Sequence, residues 1–309
     1  MIRVQNLTKR YGPLTAVNDV SFHVERGGVV GFLGPNGAGK TTTIRILTCY
    51  HPATSGTASI AGFDVFNDSI QVRRRIGYLP ESAPLYPEMR VREYLRFRGK
   101  LKGLAAQDLQ AALKRAADRC WLGDFIDRPI AQLSKGMRQR VGLADAIMHD
   151  PEVLILDEPT IGLDPTQIRE TRNLVKELGE RHTVLLSSHI LQEVEQTCSR
   201  VIIIAKGKIV AAGSPKELQD QLGAKARVFA EMRGPVGEVE KGVRAIAGVE
   251  AVDVSSENGW VRLAVQPKPE CDVREDIFRL TTAKGWSLRE IRREGATLED
   301  FFIQVVRQQ

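Results

Sequence analysis

A glycine-rich stretch, residues 34–42, constrains the fold of this 309-residue chain more than any other feature of its sequence. It matches the pattern G-x-x-x-x-G-K-[ST], follows the apolar run Val29–Leu33, and leads into a helix-like pattern that begins at Lys40. Glycines allow successive backbone N–H groups to turn inward around an anion, at a helix N-terminus whose partial positive charge favours negative charge. The stretch therefore predicts a strand, a phosphate-binding loop and a helix, in that order.

The residue types in this loop also predict a nucleotide as the ligand. Lys40 is expected to reach the β- and γ-phosphates, and the hydroxyl of Thr41 is expected to bind Mg²⁺. Chance matches arise in about one chain in a hundred of this length at average composition, and the strand and helix on either side lower those odds. The predicted nucleotide-binding residues of the loop are Gly34, Pro35, Asn36, Gly37, Ala38, Gly39, Lys40, Thr41 and Thr42.

Two adjacent carboxylates follow a second apolar run, Val153–Leu156. In isolation, an apolar strand that ends in an acidic loop is common and indicates no function. Beside a phosphate-binding loop, the same arrangement predicts that Asp157 joins the metal shell and that Glu158 acts on an attacking water.

The composition, with 42% hydrophobic and 27% charged residues, is that of an ordinary globular protein and excludes a disordered or fibrous chain. Apolar runs such as Val201–Ala205 are only of strand length, far below the roughly 20 residues that a membrane-spanning helix needs. The sequence shows no secretory signal, so we expect a cytoplasmic protein. No two cysteines form a C-x-x-C pair, which predicts buried free thiols. The cysteines are Cys49, Cys120, Cys198 and Cys271.

Over the first two thirds of the chain, short β-branched runs alternate with longer helical patterns, which predicts an α/β sheet with substantial parallel content. The apolar spacing over 168–178 predicts a crossover helix between two buried neighbouring strands. One strand is predicted over 200–212, and a domain boundary near residue 222. The predicted domains are residues 1–222 and 223–309.

The C-terminal third shows the order β-α-β-β-α-β, which predicts a small ferredoxin-like α+β domain. Its last helix is predicted to begin at Thr297, because Thr297 and Asp300 form an N-capping pair before an apolar face. The region carries no catalytic motif, and its aromatic residues are predicted to be core or docking residues. The predicted strands lie near residues 227–233, 250–256, 260–266 and 287–293.

The segment Leu133–Arg140 resembles the LSGGQ signature of ABC-type ATPases, and it lies between the phosphate-binding loop and the carboxylate pair, where that family carries it. The resemblance covers about residues 2–218 and implies the P-loop NTPase fold of an ABC nucleotide-binding domain, with a helical subdomain at about residues 82–150. The other family elements that occur in order are Tyr11, Tyr78–Glu81, Gly162–Asp164 and His189.

For the ATP bound by the chain's own loop, the resemblance implies three further roles. Tyr11 would stack on the adenine, Glu158 would polarise the attacking water, and His189 would contact the γ-phosphate and hold that water in line. A lone histidine after a strand is more often a surface or capping residue, but the position of His189 after Ser187 and Ser188 favours the functional interpretation. The implied cofactors are ATP and Mg²⁺.

For the ATP of a second subunit, the resemblance implies that Ser134 and Gly136 approach the phosphates and that Asp164 communicates across the interface. One loop and one signature per chain then imply a homodimer with two ATP molecules at its two-fold axis. Lys135 and Met137 replace a glycine and a glutamine of the common signature, but the two positions expected to touch phosphate are unchanged.

Glu81 is a second departure from the family pattern, because many members carry glutamine at this position. The resemblance places Glu81 at the metal, Mg²⁺, whereas repulsion from the γ-phosphate favours a position towards a membrane subunit. Both interpretations of Glu81 stay open at this point.

These motifs, together with the C-terminal extension, resemble exporter-type ABC ATP-binding subunits whose membrane subunits are separate polypeptides, such as the gliding-motility type. The resemblance implies a peripheral subunit on the cytoplasmic face of the cell membrane, whose helical subdomain receives a coupling helix of the permease. Basic residues such as Arg73, Arg74 and Arg75 are expected either to lean on anionic lipid headgroups or to form a solvated face.

An alternative is a soluble ABC-type ATPase that acts on a nucleic-acid or ribosomal partner, which the net charge of +6 allows. Translation-type members carry two cassettes in one chain, and chromosome-type members separate the loop from the signature by a long coiled coil. This chain has one cassette and no sustained heptads. Transport is therefore the favoured prediction, and nucleic acid is the less favoured partner.

Overall fold

The structure is a computed structural model that describes residues 1–221, 227–268, 271–294 and 298–307. It divides into two compact units, one formed by Met1–Pro215 with Gln304–Gln309 and the other by Lys216–Ile303. The boundary predicted at residue 222 lies outside the described residues.

The first unit contains ten strands and seven helices in the described part of the chain. Its strands are β1 (Ile2–Tyr11), β2 (Leu14–Val24), β3 (Val29–Leu33), β4 (Ser55–Ile60), β5 (Phe63–Asp64), β6 (Ile76–Leu79), β7 (Val153–Asp157), β8 (Thr183–Ser188), β9 (Arg200–Ala205) and β10 (Lys208–Gly213). Its helices are α1 (Lys40–Leu47), α2 (Ser69–Arg75), α3 (Val91–Leu101), α4 (Ala106–Arg119), α5 (Lys135–Ile147), α6 (Pro165–Gly179) and α7 (Leu191–Thr197).

The larger sheet of this unit has six strands in the order β10-β9-β3-β8-β7-β6. Neighbouring strands in this sheet are parallel, except that β9 and β10 are antiparallel. Strands β7 and β8 are fully buried neighbours, and the crossover helix α6 connects them, as the apolar spacing predicts. The carboxyl ends of β3, β7 and β8 therefore point to one edge of the sheet, where ligands of open α/β sheets bind.

The prediction of one strand over 200–212 is wrong, because β9 and β10 form an antiparallel hairpin. Lys206 and Gly207 both have positive φ angles, 46° and 77°, which is the geometry of a tight two-residue hairpin turn. The turn also makes tertiary contacts. Gly207 N donates to Ala38 O at 2.9 Å, and its carbonyl accepts from Asn18 N at 2.8 Å.

A second, antiparallel sheet in the order β2-β1-β4-β5 belongs to the same unit, and the sequence patterns did not predict it. One hydrophobic cluster joins the two sheets, with Val4 from β1, Ile44 from α1 and Ile155 from β7 all buried in it. Helix α1 is thus fixed by apolar contacts with both sheets, which holds the loop before it in a defined position.

The region predicted as a helical subdomain, residues 82–150, contains α3, α4 and α5 and two short 3₁₀ turns. Asp145 on α5 is buried and pairs with Arg98 at 3.0 Å and with Lys102 at 3.1 Å. A buried carboxylate with two cationic partners is compensated for its lost hydration, so this cluster ties α5 to α3.

The chain from residue 215 onward forms a four-stranded antiparallel sheet in the order β12-β13-β11-β14, with the element order β-α-β-β-α-β that the sequence predicts. Val228, Leu263 and Ile277 lie in its buried cluster. The predicted capping pair of Thr297 and Asp300 lies outside the described side chains. The elements are α8 (Pro215–Gln221), β11 (Arg227–Arg233), α9 (Val236–Arg244), β12 (Val249–Glu257), β13 (Trp260–Pro267), α10 (Arg274–Ala283), β14 (Ser287–Glu294) and α11 (Leu298–Arg307).

Within the described residues, none of the helices combines the length and the apolar character that a bilayer crossing demands. The four cysteines are free thiols, as predicted. Only Cys120 and Cys198 are buried, whereas Cys49 and Cys271 are half-buried, so the prediction of burial is wrong for those two.

Candidate functional site

The glycine-rich loop runs from the end of β3 to the start of α1, as predicted. A Cβ atom on Gly34 would lie 2.3 Å from Ile204 O, and one on Gly39 would lie 2.6 Å from Ala16 O, so any larger residue displaces backbone. Gly39 is the N-cap of α1 with φ 107°, and no side chain caps this helix. The first backbone N–H groups of α1 are therefore available to an anion.

Lys40 is buried at the mouth of this loop. Its ammonium donates to Gly34 O at 2.6 Å and to Pro35 O at 3.3 Å. Burial lowers the pKa of Lys40, and the carboxylates of Glu158 and Asp157 oppose that shift. The ammonium is thus held by loop carbonyls, beside the positions that phosphates take in such loops.

Asp157 ends β7 with a carboxylate that is almost entirely buried. Its Oδ1 accepts a hydrogen bond from the hydroxyl of Ser187, while its buried Oδ2 has no hydrogen-bond partner among the described residues. Burial raises the pKa of Asp157, and the hydrogen bond from Ser187, together with the nearby Lys40 ammonium and Thr41 hydroxyl, opposes the rise. A free carboxylate oxygen near a threonine hydroxyl is a donor set that fits Mg²⁺, which binds through few protein oxygens.

Glu158 lies directly after β7 in a strained conformation, with φ 50°. Its backbone N–H donates to Ser187 O at 3.2 Å, and its Oε2 lies 2.8 Å from Nδ1 of His189. Burial raises the pKa of Glu158, and His189 opposes the rise. A carboxylate with a raised pKa, held by a histidine, is suited to act on the proton of a water molecule.

A cavity of about 530 Å³ brings most of these predicted residues together. It lies between the glycine-rich loop and the residues that follow β7 and β8. Gly34 and Asp157 do not line it, although the carbonyl of Gly34 holds Lys40 and Asp157 adjoins Glu158. The lining residues are Tyr11, Leu14, Ala16, Pro35, Asn36, Gly37, Ala38, Gly39, Lys40, Thr41, Thr42, Glu81, Glu158, Ile161 and His189.

Tyr11 ends β1 at the rim of this cavity, with 41% of its surface exposed. Lys9 Nζ lies 5.1 Å from its ring centroid, and the ring of His51 meets it edge-on at 6.3 Å. An exposed aromatic ring beside a phosphate-binding loop can stack on a planar base.

The signature residues lie elsewhere in the first unit. Ser134 is the N-cap of α5, and its hydroxyl accepts from Met137 N at 3.2 Å. Asp164 is the N-cap of α6 and accepts from Gln167 N at 2.9 Å. A Cβ on Gly136 would lie 3.1 Å from Gln167 Oε1, so the starts of α5 and α6 adjoin each other. Within the described chain, Ser134, Gly136 and Asp164 are not part of the cavity lining.

Several residues of the site carry no motif signal. Leu14 and Ala16 belong to the antiparallel sheet, and Ile161 follows the carboxylates. Gln139 differs from these, because it lies inside the signature-like segment, and it donates to Glu158 O at 3.4 Å. Ser187 holds both Asp157 and the backbone of Glu158. Only the position of Ser187 before His189 could have indicated its role.

Known proteins resemble this chain along nearly its whole length. The sequence model of the family described as ABC transporter matches residues 17–161. The linearmycin resistance ATP-binding protein LnrL of Bacillus subtilis is 34% identical over 306 residues, which cover 99% of this chain and 98% of that protein. The chain is a member of the family of ABC transporter ATP-binding subunits. The predicted family is therefore confirmed.

Two further likenesses agree with this membership. The Nod factor export ATP-binding protein I of Burkholderia lata is 38% identical to this ATP-binding subunit over 70% of the chain and 72% of that protein. A solved ATP-binding subunit of an ABC transporter superposes with a TM-score of 0.68 at 32% identity, over 72% of this chain and 93% of that one. The ABC ATP-binding subunit described here has the P-loop NTPase fold, binds ATP and is an ATPase.

Proposed function

We propose that this ATP-binding subunit acts as a homodimer, which closes around two ATP molecules and drives export of a substrate through separate membrane subunits. The position of the signature carries this proposal. Ser134 and Gly136 suit an anion at the start of α5, yet they lie outside the ATP cavity of their own chain. In a two-fold dimer, the start of α5 would instead face the ATP of the other copy.

The start of α5 supports this arrangement electrostatically. Its first turn contains no acidic residue, and Lys135 and Arg138 follow the N-cap Ser134. Cations at the positive end of a helix dipole are unfavourable by about 0.3–1 kcal/mol each unless an anion is present. A γ-phosphate from a second copy would remove this repulsion.

Within each ATP site, we assign the roles by position. Lys40 contacts the β- and γ-phosphates, Tyr11 stacks on the adenine, and His189 exchanges its bond with Glu158 for one with the γ-phosphate. Glu158 then accepts the proton of the attacking water. The cavity is also lined by Glu81, which supports a place for that carboxylate near the metal.

Mg²⁺ would be held by the Thr41 hydroxyl and the Asp157 carboxylate. When bound, it neutralises phosphate charge. The Ser187 hydroxyl keeps Asp157 Oδ1 engaged, so that Oδ2 is the oxygen left for the metal.

A second cavity, of about 670 Å³, supports a membrane partner on the cytoplasmic face. It is lined by α2, β6, α3 and α5, and Tyr50, Ile70 and Leu101 on its walls are exposed apolar side chains. Arg73 and Arg74 add positive charge. An amphipathic coupling helix with apolar and acidic residues fits such a groove. The relatives named for drug resistance and export support outward transport.

The dimer is tested by the mass in solution of the Glu158→Gln variant, measured with and without ATP and Mg²⁺ by light scattering after size exclusion. This variant should bind ATP without hydrolysing it, so the mass should rise from one chain to two. The double variant Glu158→Gln/Ser134→Arg should still bind ATP but should not dimerise. The double variant Glu158→Gln/Lys40→Ala should neither bind ATP nor dimerise. A Glu158→Gln chain that stays monomeric with ATP bound contradicts the proposal.

A further inference from the structure

A buried hydrogen bond links the two segments that carry Glu158 and His189. The Thr160 hydroxyl donates to Glu193 Oε2 at 2.8 Å. Thr160 exposes only 7% of its surface, and Glu193 only 6%. Thr160 lies two positions after Glu158, and Glu193 lies four positions after His189. The same two segments are therefore joined twice, once at the cavity surface and once in the interior.

Packing alone does not account for a carboxylate at position 193. Burying a carboxylate is unfavourable unless charges or hydrogen bonds compensate for its lost hydration. Asp145 has two cationic partners, but no Lys, Arg or His in the described chain forms an ion pair with Glu193. The positive end of α7, where Glu193 lies in the first turn, offsets only part of this cost.

The backbone around Thr160 transmits its position to Glu158. Ile161 N donates to Glu158 O at 3.2 Å, and Leu163 N donates to Thr160 O at 3.2 Å. Thr160 thus lies inside the turn that begins at the strained Glu158. A shift of Thr160 would rotate the Glu158 backbone and move its carboxylate.

We propose that Glu193 is a positioning residue for ATP hydrolysis, which holds Thr160 and, through the turn, keeps the Glu158 carboxylate in place. The hydrogen bond between Glu158 and His189 lies at the cavity surface. It has to break when His189 forms its contact with the γ-phosphate, a step that rests on the roles proposed above. The buried bond between Thr160 and Glu193 stays closed, so Glu158 does not follow His189.

The test compares Thr160→Val, Glu193→Leu and the combined variant with the wild-type chain. Displacement of a catalytic group by about 1 Å costs up to about a hundredfold in rate, so each single variant should lose about tenfold in kcat, with KM for ATP within about twofold. Each should also lower Tm, since one polar partner stays buried. The combined variant removes both polar groups, so Tm should recover while kcat stays low.

Glu193→Gln is the matched control, because its amide oxygen still accepts the Thr160 hydrogen bond. It should retain at least about half of the wild-type kcat. A combined variant that regains wild-type kcat together with Tm shows a purely structural role and overturns the proposal. Single variants that raise KM and leave kcat unchanged also overturn it.

This result is separable from the dimer. Glu158→Gln/Glu193→Leu should still form the ATP-dependent dimer, because Glu193 is assigned to hydrolysis alone. Loss of that dimer would contradict the proposal for Glu193. Absence of a dimer in Glu158→Gln itself would contradict the dimer proposal and leave the kcat comparison intact.

Discussion

The first unit has two helix starts suited to bind an anion, those of α1 and α5. They differ in how many anion-binding groups the same chain places around them. Helix α1 begins after Gly39, which offers no side-chain cap, and it opens into the ATP cavity beside Lys40. Helix α5 begins after Ser134, whose hydroxyl is engaged by Met137 N. One chain thus supplies an open helix start beside Lys40 and, separately, a helix start that we assign to the phosphate of a second copy.

The two helix starts also differ in how much charge is buried around them. The cavity at α1 concentrates desolvated charge, because Lys40, Asp157 and Glu158 all have pKa values shifted by burial. At α5, the N-cap bond is an ordinary local stabilising contact. The α1 site therefore costs folding free energy through the burial of charge, whereas at α5 the N-cap bond opposes the smaller cost of Lys135 and Arg138 at the positive end of the helix.

The largest expected effect belongs to the α1 site. Lys40→Ala removes the only ammonium that lines the ATP cavity in the described chain, so hydrolysis should fall at least about a hundredfold and ATP affinity should fall with it. ATP titration and a phosphate-release assay measure the two effects. Lys208→Ala, which changes an exposed residue at the start of β10, should alter neither. Retained ATP affinity in Lys40→Ala would remove the contrast between the two helix starts.

A smaller effect is expected at the α5 site. In Gly136→Ala the new methyl group meets Leu163 and Gln167 at 3.1 Å, which should displace the start of α5. Hydrolysis should fall about tenfold because a donor to the γ-phosphate of the second copy is misplaced. ATP binding to the single chain should be unchanged, as should both properties in the control Gly123→Ala, where a Cβ meets nothing within 4 Å. Weaker ATP binding by monomeric Gly136→Ala would mean that the start of α5 contacts the ATP bound by the same chain, which contradicts the comparison.

The smallest expected effect is on the free energy of unfolding. A substitution in the cavity at α1 should raise it, and a substitution at the start of α5 should lower it. Burial raises the pKa of Glu158, so the stability it contributes as a protonated group is lost as pH rises through the folded-state pKa. Glu158→Gln without nucleotide should therefore be more stable than wild type at pH 8 and lose this advantage towards pH 4. Ser134→Ala should instead be destabilised by about 1 kcal/mol at both pH values, through loss of the N-cap. Thermal unfolding at the two pH values distinguishes them, and equal signs would contradict the comparison.

The sequence predicted the local parts of this molecule well. In the loop over 34–42, Gly34 and Gly39 stand where a Cβ atom would come within 3 Å of neighbouring backbone. In the second unit, the alternating buried residues Val261, Leu263 and Val265 mark a strand. Such features depend on near neighbours in the chain. The family motifs then gave the order of the site residues.

Features that depend on distant contacts were missed. In the antiparallel sheet that carries Leu14 and Ala16, β1 pairs with β4, which follows the glycine-rich loop and α1 in the chain, and no local pattern specifies that pairing. The hairpin over 200–212 was predicted as one strand because Lys206 is not a typical turn residue, and its positive φ is stabilised by contacts of Gly207 with other elements. The bond between Thr160 and Glu193 joins two segments 33 positions apart, each of which has an ordinary sequence.

The turn at Lys206 and Gly207 has a consequence for engineering the chain. Hairpin tips are usually the first choice for inserting an epitope or a fluorescent domain, because extra residues there leave the strands intact. Here the tip binds the backbone of Ala38 in the ATP loop and of Asn18 on β2. An insertion at this tip would disconnect the nucleotide loop from its support, so a reporter is better attached at Gly123, in an exposed part of the helical region where added atoms meet open space.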